Sequence, residues 1–117
     1  MQRDDRAYLW DIIDACLAIE SVLADVESDE YVASRFLRSA VEREFITIGE
    51  ATAALSRAAP ALFSRLTDGR RIVDFRNQLT HEYRHTDDLV VWLVAHNEVP
   101  VLRRECEVLL EEVGDAD

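Results

Sequence analysis

The sequence predicts an all-α fold: an antiparallel, up-and-down bundle of four to five helices in a single domain over residues 1–117. Three observations carry this. Apolar residues recur at steps of three and four along most of the chain, the period of one helix face. Only three Gly and two Pro interrupt it, too few for the many tight turns of an all-β protein. A chain of 117 residues with 49% apolar content also suffices for one buried core.

Leu9, Ile12, Ile13, Cys16, Ile19, Leu23 and Val26 form one face of a first helix over about residues 4–26. Ser28 and Asp29 offer N-cap oxygens for a second helix over about 29–57. Its face reads Val32, Phe36, Leu37, Ala40, Val41, Phe45, Ile48, Thr52 and Leu55. Gly49 falls inside this helix at a cost of about 1 kcal/mol relative to Ala, which a close approach by a neighbouring helix would offset. Pro60 ends the helix before Ala59 and opens a short turn through Leu66. Thr67-Asp68-Gly69 is the next break, and Ile72, Val73, Phe75 and Leu79 mark a third main helix over about 69–81. Thr86-Asp87-Asp88 starts the last helix, with acids at its positive dipole end. Its apolar face runs through Leu89, Trp92, Leu93 and His96 and continues to Leu102, Cys106, Leu109, Leu110 and Val113. Pro100 removes a backbone donor and should kink or split it near Asn97. Short connections make sequential helices antiparallel.

The net charge of −11 excludes nucleic-acid binding through the general surface. Its distribution is uneven: residues 68–86 hold four arginines against three acids, a net +1, which leaves −12 for the rest. A ligand would therefore be gripped locally and not steered from afar. Cys16 and Cys106 stand far apart in apolar stretches, without metal-ligand spacing, and read as buried, reduced thiols of a cytoplasmic protein. The N-terminus carries no apolar secretion segment, and the longest apolar run, Leu89 to Ala95, is far short of the roughly 20 residues that span a bilayer.

The chemistry concentrates in Arg76-Asn77-Gln78-Leu79-Thr80-His81-Glu82-Tyr83. Arginine binds phosphate with a fixed cationic fork, and histidine moves protons near neutral pH. Arg76 and Tyr83 are seven apart and share a helix face, as do Asn77 and His81 at four apart. Arg76 and His81 are five apart, about 140° around an ideal helix, so they can meet one ligand only where the helix ends or where the ligand lies across its edge. The Thr86 start places that end between His81 and Arg84. Arginine and histidine on a bundle helix also serve as surface or capping groups, so the pair alone does not define a site. Glu82-Tyr83-Arg84-His85 is a single E-x-x-H; a di-metal bundle needs two such motifs and further glutamates, so no metal is expected.

Arg76-Asn77-Gln78-Leu79-Thr80-His81 resembles the R-x-x-x-x-H signature of the HEPN superfamily, and the extension to Tyr83 resembles the H-x-Y form of its HepT-like branch. Tyr8-Leu9-Trp10-Asp11-Ile12, Ile48-Gly49-Glu50-Ala51 and Val91-Trp92 are similar to the same branch, so the resemblance covers about residues 4–113. Phe75 departs from the pattern, in which a small or flexible residue often precedes the arginine. The resemblance implies a helical homodimer, the toxin of a type VII-like toxin–antitoxin pair, with metal-independent ribonuclease activity and no cofactor. It also implies a partner, a minimal nucleotidyltransferase antitoxin that silences the toxin by adenylylating Tyr83.

On this reading Arg76 and His81 are catalytic and Asn77 is supporting, fixing the imidazole or hydrogen-bonding the RNA substrate. One motif supplies one histidine, whereas transesterification needs a base and an acid, so a symmetric dimer would complete the site. The competing class is a non-catalytic nucleotide-binding or adaptor module that docks a nucleotidyltransferase; a third is a plain structural dimer without a ligand.

Overall fold

The computed structural model describes residues 4–81 and 86–114; the sequence expectations for Glu82, Tyr83, Arg84 and His85 lie outside the described residues. All regular structure in these segments is helical: α1 Asp5–Val22, α2 Ser28–Ala33, α3 Arg35–Ala58, α4 Pro60–Phe63, α5 Gly69–Thr80, α6 Asp88–Asn97 and α7 Val99–Gly114. The all-α bundle expected from the sequence is what forms.

α1 is the central helix. Its stripe of Leu9, Ile12, Ile13, Cys16 and Ile19 is buried between α3 and α7. The Asp4 carboxylate caps it by accepting from the Arg6 backbone N–H at 2.9 Å. It stops at Val22, four residues earlier than expected; Asp25 then takes a left-handed backbone (φ 62°), while Val26 still packs on the core from outside the helix. A second link between α1 and α7 is polar: Arg103 donates to Glu20 at 2.5 and 3.2 Å and to Glu107 at 3.0 Å. Cys16 and Cys106 are both buried and free, and burial pushes the Cys106 thiol up to about 12 and Cys16 upward as well.

The second helix is not continuous. Ser34 takes an extended conformation, and its hydroxyl accepts from the Leu37 N–H at 3.2 Å, so it is the N-cap of a new helix, α3. The expected cap at Ser28 or Asp29 is also displaced: Glu27 occupies the cap position of α2, with no side-chain cap bond. The break shifts the helical phase. Val32 and Phe36 are therefore on the surface, Phe36 82% exposed, and Tyr31 fills the core instead. From Val41 onward the expected face of α3 holds, with Val41, Phe45, Ile48, Thr52 and Leu55 buried.

The remaining boundaries follow their local signals. Pro60 is the first residue of α4. Asp87 caps α6 through a 2.9 Å bond from the Leu89 N–H. Pro100 sits in the first turn of α7, so the last helix splits at Glu98. The phase expected for α6 is wrong, however. Val91, Val94 and Ala95 face the core, whereas Leu89 and Leu93 are exposed. His96 is exposed too, its ring tilted on Trp92 with centroids 3.9 Å apart.

Removing the Ser34 cap by Ser34→Ala should lower stability by about 1 kcal/mol without changing the fold. Thermal unfolding followed by circular dichroism measures this; an unchanged melting temperature would show that the α2–α3 break does not depend on the serine.

Candidate functional site: the C-terminal end of helix α5

α5 carries the Arg76–His81 motif and is held at three levels. At its N-terminal end, Gly69 lies under the Phe63 ring, where an added Cβ would come within 2.8 Å of Phe63 Cε1. The Arg70 guanidinium stands 6.0 Å over the same ring. Just before the helix, the Thr67 N–H and hydroxyl donate to the Glu105 carboxylate of α7 at 3.0 and 2.5 Å. One turn on, Arg71 pairs with Glu98 at 2.6 Å and so ties α5 to the α6–α7 junction.

In the middle, α5 crosses α3. Phe75 enters the core edge-on against Phe45, with ring centroids 5.1 Å apart and planes at 80°. The next residue, Arg76, passes over Gly49. A Cβ at position 49 would lie 2.1 Å from Arg76 Cβ and 2.4 Å from its Cγ. The close approach that the mid-helix glycine implied is thus made by the motif arginine itself. Arg76 is partly buried, and its Nε is buried without a hydrogen-bond partner among the described residues.

α5 ends at Thr80. His81 is the C-cap, extended (φ −87°, ψ 110°) and exposed, its N–H donating to the Gln78 carbonyl at 3.3 Å. The helix therefore stops at the first of the positions expected from the Arg76–His81 spacing. Asn77 is exposed; its backbone carbonyl accepts from the Thr80 hydroxyl at 3.1 Å, while its side-chain amide makes no hydrogen bond among the described residues. The expected role of Asn77 in fixing the imidazole thus gains no contact here.

An open groove of about 590 Å³ lies between α5 and α6. Phe75, Val90 and Val94 give it an apolar side, and Arg70, Arg71, Asp74 and Gln78 are polar groups along it. Gln78 is three residues before His81, so the groove leads toward the end of the helix. Arg76, by contrast, faces α3. Arginine and histidine are brought to one end of one helix, but on different sides of it. The groove and the Glu98 anchor were not singled out from sequence. Glu98 lies at the split that Pro100 signalled, and the Arg71 pairing across 27 positions left no local pattern.

The fold and the site define a helical-bundle protein with an arginine and a histidine at the end of one packed helix. The family described as Ribonuclease HepT-like matches residues 12–109, and the chain belongs to that family. It is 30% identical over 112 residues to "Probable ribonuclease HepT" of Thermococcus cleftensis, covering 93% of this chain and 98% of that one. It is 27% identical over 108 residues to "Putative RNase MJ1380" of Methanocaldococcus jannaschii (92% and 98% covered) and 26% identical over 116 residues to "Putative RNase MJ1216" of the same organism (99% and 95%). No solved structure matches the chain significantly. No helix among the described residues is long and apolar enough to cross a membrane.

Glu98 makes the hold on α5 dependent on pH. Burial raises its carboxyl above the usual range, Arg71 pulls it down, Asp68 raises it further, and the net direction is upward. Its side chain is 12% exposed, and Oε2 has no partner among the described residues. A carboxyl raised in the folded state costs stability as pH climbs from the unfolded value, 4.5, through the folded one. Glu98→Gln should therefore lose less stability than the parent chain between about pH 4.5 and neutrality. Melting temperatures of both chains across that range test this; parallel curves would exclude it.

Proposed function

We propose that this chain is the ribonuclease toxin of a toxin–antitoxin pair, a single-domain protein acting in the cytoplasm as a homodimer. The observation that carries the proposal is the end of α5 at His81, in a chain of the HepT-like ribonuclease family. His81 is exposed there, five residues after an arginine that packs on Gly49 of α3.

The chemistry is transesterification at phosphorus, with no metal. His81 of one protomer takes the proton of the ribose 2′-hydroxyl, whose oxygen attacks the adjacent phosphorus. The bond to the 5′-oxygen breaks, and that oxygen receives a proton from His81 of the other protomer. The products are a 2′,3′-cyclic phosphate and a free 5′-hydroxyl. Arg76 stabilises the charge that builds on the phosphorane oxygens. Asn77, exposed one turn before His81, is available to hydrogen-bond the RNA.

α6 supports the dimer. It is apolar on nearly all sides, as buried helices are, yet Leu89, Val90 and Leu93 are exposed, and Val90 lines the groove. A second copy packed there would cover them and bring the two α5 ends toward a shared cleft.

Arg76→Ala and His81→Ala should each reduce RNA cleavage by on the order of 10²-fold or more, with the parent rate unchanged in chelator. Parent-like cleavage by both variants would exclude these roles. A parent chain that sediments as a monomer while it cleaves would exclude the two-histidine scheme.

Tyr83 is proposed as the switch. An adenylyl group on its hydroxyl would add bulk and negative charge within the motif, seven residues after the proposed phosphate-binding Arg76, repelling RNA. Incubation with a minimal nucleotidyltransferase and ATP should add one or more adenylyl units at Tyr83, as read by peptide mass spectrometry, and cleavage should fall with it. Modification at Tyr8 or Tyr31 instead, or none, would count against the switch.

A further inference from the structure

We propose that Gly49, on α3, is a positioning residue for the ribonuclease reaction: its missing side chain is the slot that aims Arg76 at the RNA phosphate. This rests on the reading that Arg76 acts at that phosphate. The three atoms nearest to a Cβ at position 49 all belong to Arg76: Cβ at 2.1 Å, Cγ at 2.4 Å and Nε at 3.3 Å. The stem of the arginine thus lies along the bare backbone of α3 up to the start of its guanidinium. Contacts at Cβ and Cγ limit its first two torsions, and the buried Nε fixes where the planar fork begins.

The surroundings make this slot stiff. Ile48 and Thr52 are fully buried to either side of Gly49 along α3, and Phe75, the neighbour of Arg76, is locked against Phe45. Glycine in the interior of a long helix is otherwise disfavoured, so the close approach gives its presence a physical reason. Any side chain here, alanine included, would part α3 from α5 or eject the arginine stem. Either displaces the guanidinium by on the order of an ångström, and misplacement of that size can cost about 10²-fold in rate.

The test is single-turnover and steady-state cleavage of an RNA oligonucleotide by the full chain and its variants. Gly49→Ala should fold and lose roughly 10- to 100-fold in kcat, with KM changed by less than about twofold. Ile72→Val is the control: it thins the buried packing of α5 one turn before Arg76 without altering the contact at Gly49, and should lower the melting temperature while keeping kcat. Parent-like kcat in Gly49→Ala, or an equal kcat loss in Ile72→Val, overturns the proposal. Should Gly49→Ala fail to fold, adding Arg76→Gly removes the clashing Cβ and must restore the melting temperature; failure to restore it also overturns the proposal. Arg76→Ala separates the two ideas. An inactive Arg76→Ala beside a fully active Gly49→Ala sinks the positioning role alone, whereas an active Arg76→Ala sinks the reading of Arg76 and this proposal with it.

Discussion

The structure depends on how closely α5 can approach α3. α3 is the longest helix and packs on α1, so it belongs to the rigid centre. α5 has twelve residues, too few to be stable alone, and takes its order from what it packs against. Its apolar contribution is small, with Ile72 and Phe75 buried in the core and Leu79 only packed at the edge. Those few contacts hold because Gly49 admits the Arg76 stem and Phe45 meets Phe75 edge-on. One helix crossing thus fixes both the packing of α5 and the side on which its arginine emerges.

That crossing explains a division within the motif. Phe75 and Arg76 are adjacent, so they point about 100° apart, one into the core and the other across α3. Phe75 had stood out as bulkier than the pattern before the arginine. Its place in the core shows what the bulk does: it anchors the turn from which Arg76 projects. His81 is placed differently, as the C-cap just past the last helical residue. The arginine is set by packing and the histidine by where the helix stops.

What could be read from the sequence follows the same physical lines. Where apolar residues alternate with polar ones at helical spacing, as in α1 and in α3 from Val41 on, face and core were both legible. The Ser34 break was not, because Val32 and Phe36 continue an i, i+4 pattern across it, and only the hydroxyl contact to the Leu37 N–H shows that a new helix begins. The phase of α6 was illegible for the opposite reason: Leu89-Val90-Val91-Trp92-Leu93-Val94 is apolar throughout, so periodicity has nothing to contrast. For the site, the 140° between Arg76 and His81 and the Thr86 start pointed to a helix end, and α5 does end at Thr80, with His81 as its C-cap. The partner of Gly49 was not readable, since sequence spacing says that something comes close but not which residue does.

Charge adds a second constraint on Arg76. A protein of net −11 repels RNA at a distance, so affinity must arise at contact. Several arginines are already engaged: Arg103 with Glu20 and Glu107, Arg65 with Glu112, Arg71 with Glu98, Arg38 with Asp88. Arg71 is the telling case, because it lines the groove beside α5 yet has its charge answered by Glu98. Arg76 differs in what it rests on. Its stem lies against a glycine, and no carboxylate pairs with it among the described residues. A glycine neighbour holds the side chain in place without neutralising it, which a carboxylate could not do. In the proposed reaction, that is how an acidic bundle would keep one arginine both ordered and available to a phosphate.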